Sequence, residues 1–322
     1  MKNILPFNDD PIIKTYPNIA FYLGILEGSN LNVENIVISE FSNLFFFNKR
    51  MDFISTGYFQ KKLFKNKYKK IRIHNSISNI IKEIDNYNYV VVILNEKYIS
   101  NKEIPSKNNY YHDWLIYGYD LDNKVFYCAG YYGEQMRLRK YGTIMISFND
   151  VSISLKHSWF NRFCFSSKDT HTIKIKQNLK IKENTFSDIY TEFLNPKFLV
   201  LYYRPVINVG IKSLLKFSKM LTKYISNWDY LADKRVRLQS FRIIYEHTKV
   251  LLIASERTKD IDLYNRIKEI SNKAYMLFIL GIEYNTDYNL AVLEKINYFV
   301  DEIIAMEKKV FDDLKLDDKI YG

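Results

Sequence analysis

The spacing of apolar residues changes from strand-like to helical about two thirds of the way along the chain. Before about residue 204, short apolar runs of strand length alternate with polar turns. Beyond Pro205, apolar residues recur every three or four positions, which is the spacing of one helical face. The pattern predicts two domains, residues 1–204 with an α+β fold and residues 205–322 forming a helical bundle.

Four amphipathic helices are predicted in the C-terminal domain, each with one apolar stripe. The stripes are formed by Ile211, Leu214, Leu215, Leu221 and Ile225; by Leu238, Phe241, Tyr245, Thr248 and Leu252; by Leu263, Ile267, Ile270, Ala274 and Leu277; and by Leu290, Leu293, Ile296, Val300, Ile303, Val310 and Leu314. These stripes would bury one another in the bundle core.

The N-terminal domain begins with a helix that is apolar on every side. Residues 18–26 have this composition, and Gly28 marks the end of the predicted helix. Residues 76–86 predict a short amphipathic helix, and the unbroken apolar run 89–94 predicts a strand buried on both faces.

An antiparallel hairpin is predicted next. Residues 110–120 and 124–130 are rich in aromatic and β-branched residues, and the polar residues between them are typical of a turn. His112 stands where the first strand begins. Further predictions are a strand pair over 134–140 and 141–147, a helix from 147 to 155 capped by Ser147, and a strand over 172–176. The run 198–203 fits either a strand or a buried helix. Together these elements predict a mostly antiparallel sheet.

Composition limits the class of protein. The chain has 322 residues, of which 47% are hydrophobic, enough for a substantial core. Cys128 and Cys164 are too few for a disulfide framework, which favours a reducing compartment. The N-terminus lacks a signal-peptide pattern, and no run approaches the roughly 20 apolar residues of a membrane span. We therefore expect a cytoplasmic protein with no membrane partner.

The formal charge of +11 is compatible with an acidic partner or nucleic acid. Basic residues alternate with Phe59, Phe64 and Tyr68, a pattern that either binds single-stranded nucleic acid or places lysines in water over buried aromatics. The second interpretation is favoured, because no long pure block of basic residues appears. The basic residues are Lys61, Lys62, Lys65, Lys67, Lys69, Lys70 and Arg72.

No metal site or cofactor is predicted. The five histidines are scattered along the chain, and no glycine-rich phosphate loop occurs. Glu246 and His247 on one predicted helix fit a structural role better than a site at the domain junction.

Three patterns together resemble a family of papain-like proteins, the butirosin acyltransferase-like proteins associated with nonribosomal peptide-type pathways. They are residues 112–120, which begin His112-Asp113, the lead-in with Pro6 and Pro11, and residues 245–249. The resemblance implies a papain-like cysteine-peptidase fold. It also implies transfer of an acyl group from a carrier-protein thioester through a cysteine to an amine. The implied partner is an acyl carrier protein or another enzyme of the pathway.

The roles implied by the resemblance are incompletely filled. His112 matches the general base. The nucleophile position falls on Ala20, with Asn18 a weaker match, and neither side chain can attack a carbonyl. Cys128 stands where the family has an Asp or Asn that orients the histidine.

Three explanations follow: a natural pseudoenzyme, a Cys→Ala variant at Ala20, or relocated chemistry with Cys128 as the nucleophile. The rival to an acyltransferase is a non-catalytic scaffold of a biosynthetic assembly line, and a nucleic-acid-binding protein is the weaker alternative. An enzyme predicts a pocket between the Ala20 helix and His112. A scaffold predicts that side chains fill that space, such as Tyr or Phe of the hairpin.

Overall fold

The computed structural model describes residues 1–53, 60, 63–68, 76–101, 104, 108–133, 139–160, 171–176, 199–201, 204–206, 210–228 and 236–321. Within these residues the fold is α+β, with eight helices and a mostly antiparallel sheet, which confirms the predicted class. The chain forms two compact units. The first contains Met1–Val33 and Tyr58–Lys180, and the second contains Glu34–Gly57 and Ile181–Gly322. Unlike the predicted division at residue 204, this one places residues 34–57 with the C-terminal helices.

The first unit contains seven strands and three α-helices among the described residues. They are β1 (Lys2–Ile4), α1 (Pro17–Gly28), β4 (Phe64–Tyr68), α3 (Ser76–Asp85), β5 (Tyr89–Asn95), β6 (Tyr111–Asp120), β7 (Val125–Tyr132), β8 (Lys140–Ser147), α4 (Phe148–Phe160) and β9 (His171–Ile175). A 3₁₀ turn over Glu96–Tyr98 follows β5.

The second unit is mainly helical. It contains α2 (Glu34–Phe41), β2 (Leu44–Phe47), β3 (Arg50–Phe53), β10 (Leu199–Leu201), β11 (Arg204–Val206), α5 (Ile211–Ser226), α6 (Leu238–Glu256), α7 (Ile261–Asp287) and α8 (Leu290–Tyr321). The four predicted C-terminal helices are confirmed as α5 to α8. The β2–β3 hairpin packs on α5 and α6, which explains why residues 34–57 belong to this unit.

The strands of the first unit form one seven-stranded sheet in the order β4-β9-β5-β6-β7-β8, with β1 also paired to β6. Within the described part of the chain, all neighbouring strands of this sheet run antiparallel. The predicted hairpin is confirmed as β6 and β7, and the predicted buried strand is β5. The strand predicted over 141–147 is confirmed as β8, which pairs with β7. Residues 134–138 lie outside the described residues, so the strand predicted over 134–140 and its pairing with β8 stay a prediction.

The β6–β7 pairing contains a bulge. Ile116 lies opposite Cys128 and Gly118 lies opposite Tyr127, so that Tyr117 is an extra residue on β6. The ladder between these strands ends at Leu115 and Ala129.

Helices α3 and α4 cover one face of the sheet. The hydroxyl of Tyr119 on β6 donates to Asp85 of α3 at 2.8 Å. Phe126 on β7 contacts Phe148, the first residue of α4, with ring centroids 4.5 Å apart. The predicted cap is confirmed, because the Asp150 N–H donates to the Ser147 hydroxyl.

Helix α1 and the segment before it cover the opposite face. Phe7 stacks on Tyr117 with ring centroids 4.8 Å apart, and Phe21 of α1 contacts Tyr141 of β8 at 6.2 Å. Residues Ile19 to Leu26 are buried, which confirms the prediction of a helix enclosed on every side. No helix in the described part of the chain has both the length and the apolarity needed to cross a lipid bilayer.

Candidate functional site

His112 is the second residue of β6 and lies beyond the end of the β6–β7 ladder. Leu94 of β5 lies directly opposite it. Its imidazole is surrounded by aromatic rings. Tyr110 stacks nearly parallel to it at 5.9 Å, while Trp114 and Tyr131 lie edge-on at 6.4 and 6.2 Å. The hairpin therefore holds the imidazole between aromatic neighbours.

The hydrogen bond of the His112 ring fixes its tautomer. Nδ1 lies 3.0 Å from the carbonyl oxygen of Asp113, and a carbonyl can only accept, so Nδ1 carries the proton. Nε2 of the neutral ring then keeps its lone pair. Burial, with the positive charge of Arg139 adding to it, lowers the pKa of His112 to about 4. At neutral pH this imidazole is an uncharged base.

A buried ion pair stands beside His112, and the sequence did not indicate it. Arg139 donates from Nη1 to Glu96 Oε1 at 2.9 Å and from Nη2 to Oε2 at 2.6 Å. The guanidinium also lies 4.3 Å from the ring centroid of Tyr110, which itself stacks on His112. Burial raises the pKa of Glu96, although the hydrogen bonds from Arg139 oppose this shift. The pair supports the Tyr110 side of the histidine.

Ala20, the predicted nucleophile position, lies inside α1 and is completely buried. The helix begins at Pro17, and the N–H groups of Ile19 and Ala20 both donate to the Tyr16 carbonyl, at 3.1 and 2.9 Å. Pro17 has no N–H. Among the four residues of this first turn, Pro17 to Ala20, only the Asn18 N–H lies outside these two hydrogen bonds. This helix start offers few donors to a developing oxyanion.

Cys128 is fully buried on β7, directly opposite Ile116. Ile116 is four residues along β6 from His112, about 13 Å at the usual rise of a strand. A thiol at that separation neither hydrogen-bonds to His112 nor orients it. Burial also raises the pKa of the Cys128 thiol, which disfavours the thiolate. The structure therefore does not bring Cys128 together with His112.

Aromatic rings connect His112 to α1. The Tyr131 ring contacts His112 at 6.2 Å, Tyr141 contacts Tyr131 at 5.6 Å, and Phe21 contacts Tyr141 at 6.2 Å. The Tyr141 hydroxyl is buried and has no hydrogen-bond partner among the described residues, and burial raises its pKa. Tyr131 belongs to the hairpin and is 8% exposed, as expected for a side chain that fills the interior.

His247 lies in the core of the second unit and is completely buried. Backbone groups of Phe41 and Ser42 at the end of α2 lie beside its ring, and its Nε2 lies 3.7 Å from Oε1 of the buried Glu307 of α8. Burial lowers the pKa of His247 to about 3 and raises that of Glu307 to about 8. These contacts tie α2, α6 and α8 together, which favours the structural interpretation of His247.

The remaining candidates cannot be assembled into a site. Most of the lysine-rich stretch, together with His74 and Cys164, lies outside the described residues, and Lys65 on β4 is exposed. The nucleic-acid hypothesis therefore stays a prediction. Among the residues that the structure describes, no group of three His, Cys, Asp or Glu side chains is placed to hold a metal ion.

Comparison with known proteins adds no relative to this picture. No model of a protein family matches the chain. A search of curated proteins likewise found no match to its sequence. Functional inference therefore depends on the residues and contacts described above.

Proposed function

We propose that this chain is a papain-like relative of the butirosin-type acyltransferases that has lost acyl transfer and acts as a binding component of a biosynthetic complex. The carrying observation is the series of aromatic contacts from His112 through Tyr131 and Tyr141 to Phe21, next to Ala20. In an enzyme of this kind, the space between histidine and helix admits the thioester. Here consecutive aromatic contacts link the histidine to that helix, which supports a scaffold.

The surroundings of position 20 and of Cys128 support the same proposal. The alanine at position 20 cannot attack a carbonyl, and its N–H is already used within the helix. Cys128 is remote from His112 along the sheet. Loss of the nucleophile alone removes most of the acceleration that a catalytic triad supplies.

One observation favours acyl transfer as the second candidate function. His112 has the tautomer and the lowered pKa of a neutral base, and the Glu96–Arg139 pair holds the neighbouring Tyr110 in place. With a cysteine at position 20, such a base would accept the thiol proton if the two groups met. On this reading, a thiol at position 20 would restore the reaction.

An Ala20→Cys variant separates the two candidates. The variant and the unsubstituted protein are incubated with a soluble acyl thioester, and covalent adducts are followed by intact mass spectrometry. Under the proposal, the introduced thiol is acylated no faster than a cysteine in an unstructured peptide. Far-ultraviolet circular dichroism of both proteins checks that the substitution leaves the fold intact.

The matched control is Ala20→Cys combined with His112→Gln. Acylation that is at least tenfold faster in the single variant than in this double variant would demonstrate an assembled thiol–imidazole site and overturn the proposal. Turnover of thioester and amine by the unsubstituted protein would overturn it as well.

A further inference from the structure

The middle of α7 is apolar around its whole circumference. Within residues 274–282, every residue except Gly281 carries an apolar or aromatic side chain. Such a segment is normally covered on all sides, whereas an amphipathic surface helix has one polar face. The flanking turns of α7 do carry charged residues, so the apolar segment is local.

One side of this segment packs within the bundle. Ala274 and Leu277 are completely buried, and a Cβ added to Gly281 would lie 2.8 Å from Cγ of the Phe241 ring on α6. The opposite side faces outward. The exposed fractions of its residues are Tyr275 46%, Met276 48% and Ile279 37%.

Aromatic and cationic side chains of α6 continue this outward surface. Tyr245 contacts Tyr275 at 5.3 Å and stacks on Phe278 at 6.1 Å. Two cations lie over these rings, Arg242 at 5.2 Å from the centroid of Phe278 and Lys249 at 5.8 Å from that of Tyr245. We call Arg242, Tyr245, Lys249, Tyr275, Met276 and Ile279 the α6–α7 patch.

We propose that the α6–α7 patch is a docking surface for an acidic amphipathic helix of a partner protein. Its composition of Tyr, Met, Ile and Arg is typical of the centre of protein interfaces. Helices α6 and α7 are joined by the short segment 257–260 and pack against each other, so that a third helix can lay an apolar face along the line where they meet. Arg242 and Lys249 on α6 select carboxylates on the incoming helix.

The charge of the chain argues against a second copy as the occupant. A two-fold contact through the α6–α7 patch would bring the cations of two chains, each with a formal charge of +11, to one interface. Nucleic acid fits poorly because Met276 and Ile279 offer aliphatic surface, whereas phosphate recognition needs many cations. An acidic helix satisfies both the apolar and the charged part of the surface.

The proposed function indicates which class of protein supplies the acidic helix. If the chain serves a thioester-based assembly line, the helix belongs to a carrier domain or to an enzyme of that pathway, and this identification rests on the proposed function. The recognition of an acidic helix does not involve His112 or Ala20. Its failure is therefore distinguishable from failure of the thioester experiment.

The test measures binding of synthetic helical peptides to the full chain by fluorescence anisotropy. The probe is a labelled amphipathic peptide with Leu and Met on one face and Glu on the other. Its controls are the same peptide with Lys in place of Glu and a scrambled acidic peptide. The protein variants are Ile279→Glu and Arg242→Glu, with Ile261→Glu as a matched control, because Ile261 is 76% exposed at the other end of α7.

We expect the acidic amphipathic peptide to bind at least tenfold more tightly than either control peptide. Ile279→Glu and Arg242→Glu each weaken binding at least tenfold, and Ile261→Glu leaves it within twofold. Equal binding of acidic and basic peptides would overturn the proposal. A dimer in light scattering that Ile279→Glu abolishes, or displacement of the peptide by a single-stranded oligonucleotide, would overturn it in favour of the other occupants.

Discussion

Arg139 and Glu96 form two parallel hydrogen bonds, at 2.9 and 2.6 Å, although 43 residues separate them in the chain. Their side chains are 9% and 0% exposed, respectively. Such a buried pair is costly to break, because the remaining partner keeps an uncompensated charge.

We expect Glu96→Gln to lower the free energy of unfolding of the first unit by about 3–5 kcal/mol. The double variant Glu96→Leu with Arg139→Met should lose less than the single variant, because no buried charge remains. Urea unfolding measures both. The control is Glu34→Gln, which breaks a partly exposed pair with Arg257 and should cost less than about 1 kcal/mol. Equal losses for Glu96→Gln and Glu34→Gln would contradict a buried charge pair.

The imidazole of His112 should be neutral at pH 7, with the proton on Nδ1. Its pKa is lowered to about 4, so the folded protein protonates it only near that pH. The unfolded chain binds this proton near pH 6.5, so stability from His112 is lost as pH falls from about 6.5 toward about 4. Nitrogen-15 NMR of the imidazole tests both statements, with His112→Asn identifying the signal. A midpoint near 6.5 would refute them.

The His247–Glu307 pair should make the second unit less stable as pH rises from about 6.5 to about 8. In this range the unfolded chain has released both protons, whereas the folded protein retains the one on Glu307, whose pKa is about 8. The expected loss is roughly 2 kcal/mol across the range. Below about pH 6.5, protonation of His247 in the unfolded chain opposes this dependence. Denaturant unfolding at several pH values should show the slope in the unsubstituted protein and its disappearance in Glu307→Gln.

Gly28→Ala should destabilise the first unit by about 1–3 kcal/mol. An added Cβ would lie 2.6 Å from the backbone carbonyl carbon of Phe7, which cannot move without shifting the chain before α1. Gly142→Ala is the matched control, because the nearest atoms to its Cβ belong to the Tyr132 side chain, whose hydroxyl would lie 3.0 Å away. Thermal unfolding compares the variants. Equal losses of stability in the two variants would show that the backbone before α1 moves as easily as the Tyr132 side chain.

Elements with strong local patterns were predictable. The apolar run of β5, the hairpin of β6 and β7, and the stripes of α5 to α8 each have a period that neighbouring residues fix on their own. The cap at Ser147 belongs to the same class, because a capping side chain bonds within three residues.

Features that depend on distant residues were not predictable. Strand β9 lies between β4 and β5 in the sheet. Its alternating sequence predicts a strand with one exposed face and does not indicate which strands are its neighbours. Glu96 follows β5 in a polar turn, and its sequence gives no local sign of burial. Its partner Arg139, the residue before β8, lies 43 residues further along the chain. The placement of residues 34–57 with the C-terminal helices likewise depends on packing that no short segment encodes.

The extra residue at Tyr117 has an evolutionary consequence for any chain of this lineage. Side chains alternate between sheet faces along a strand, so a deletion at that position would turn over everything N-terminal to it on β6. Tyr111 and Asp113 would then point where His112 and Trp114 now point. In a homologue without this extra residue, the counterpart of His112 would stand one position closer to the counterpart of Asp120, so an alignment of such chains needs a gap at Tyr117.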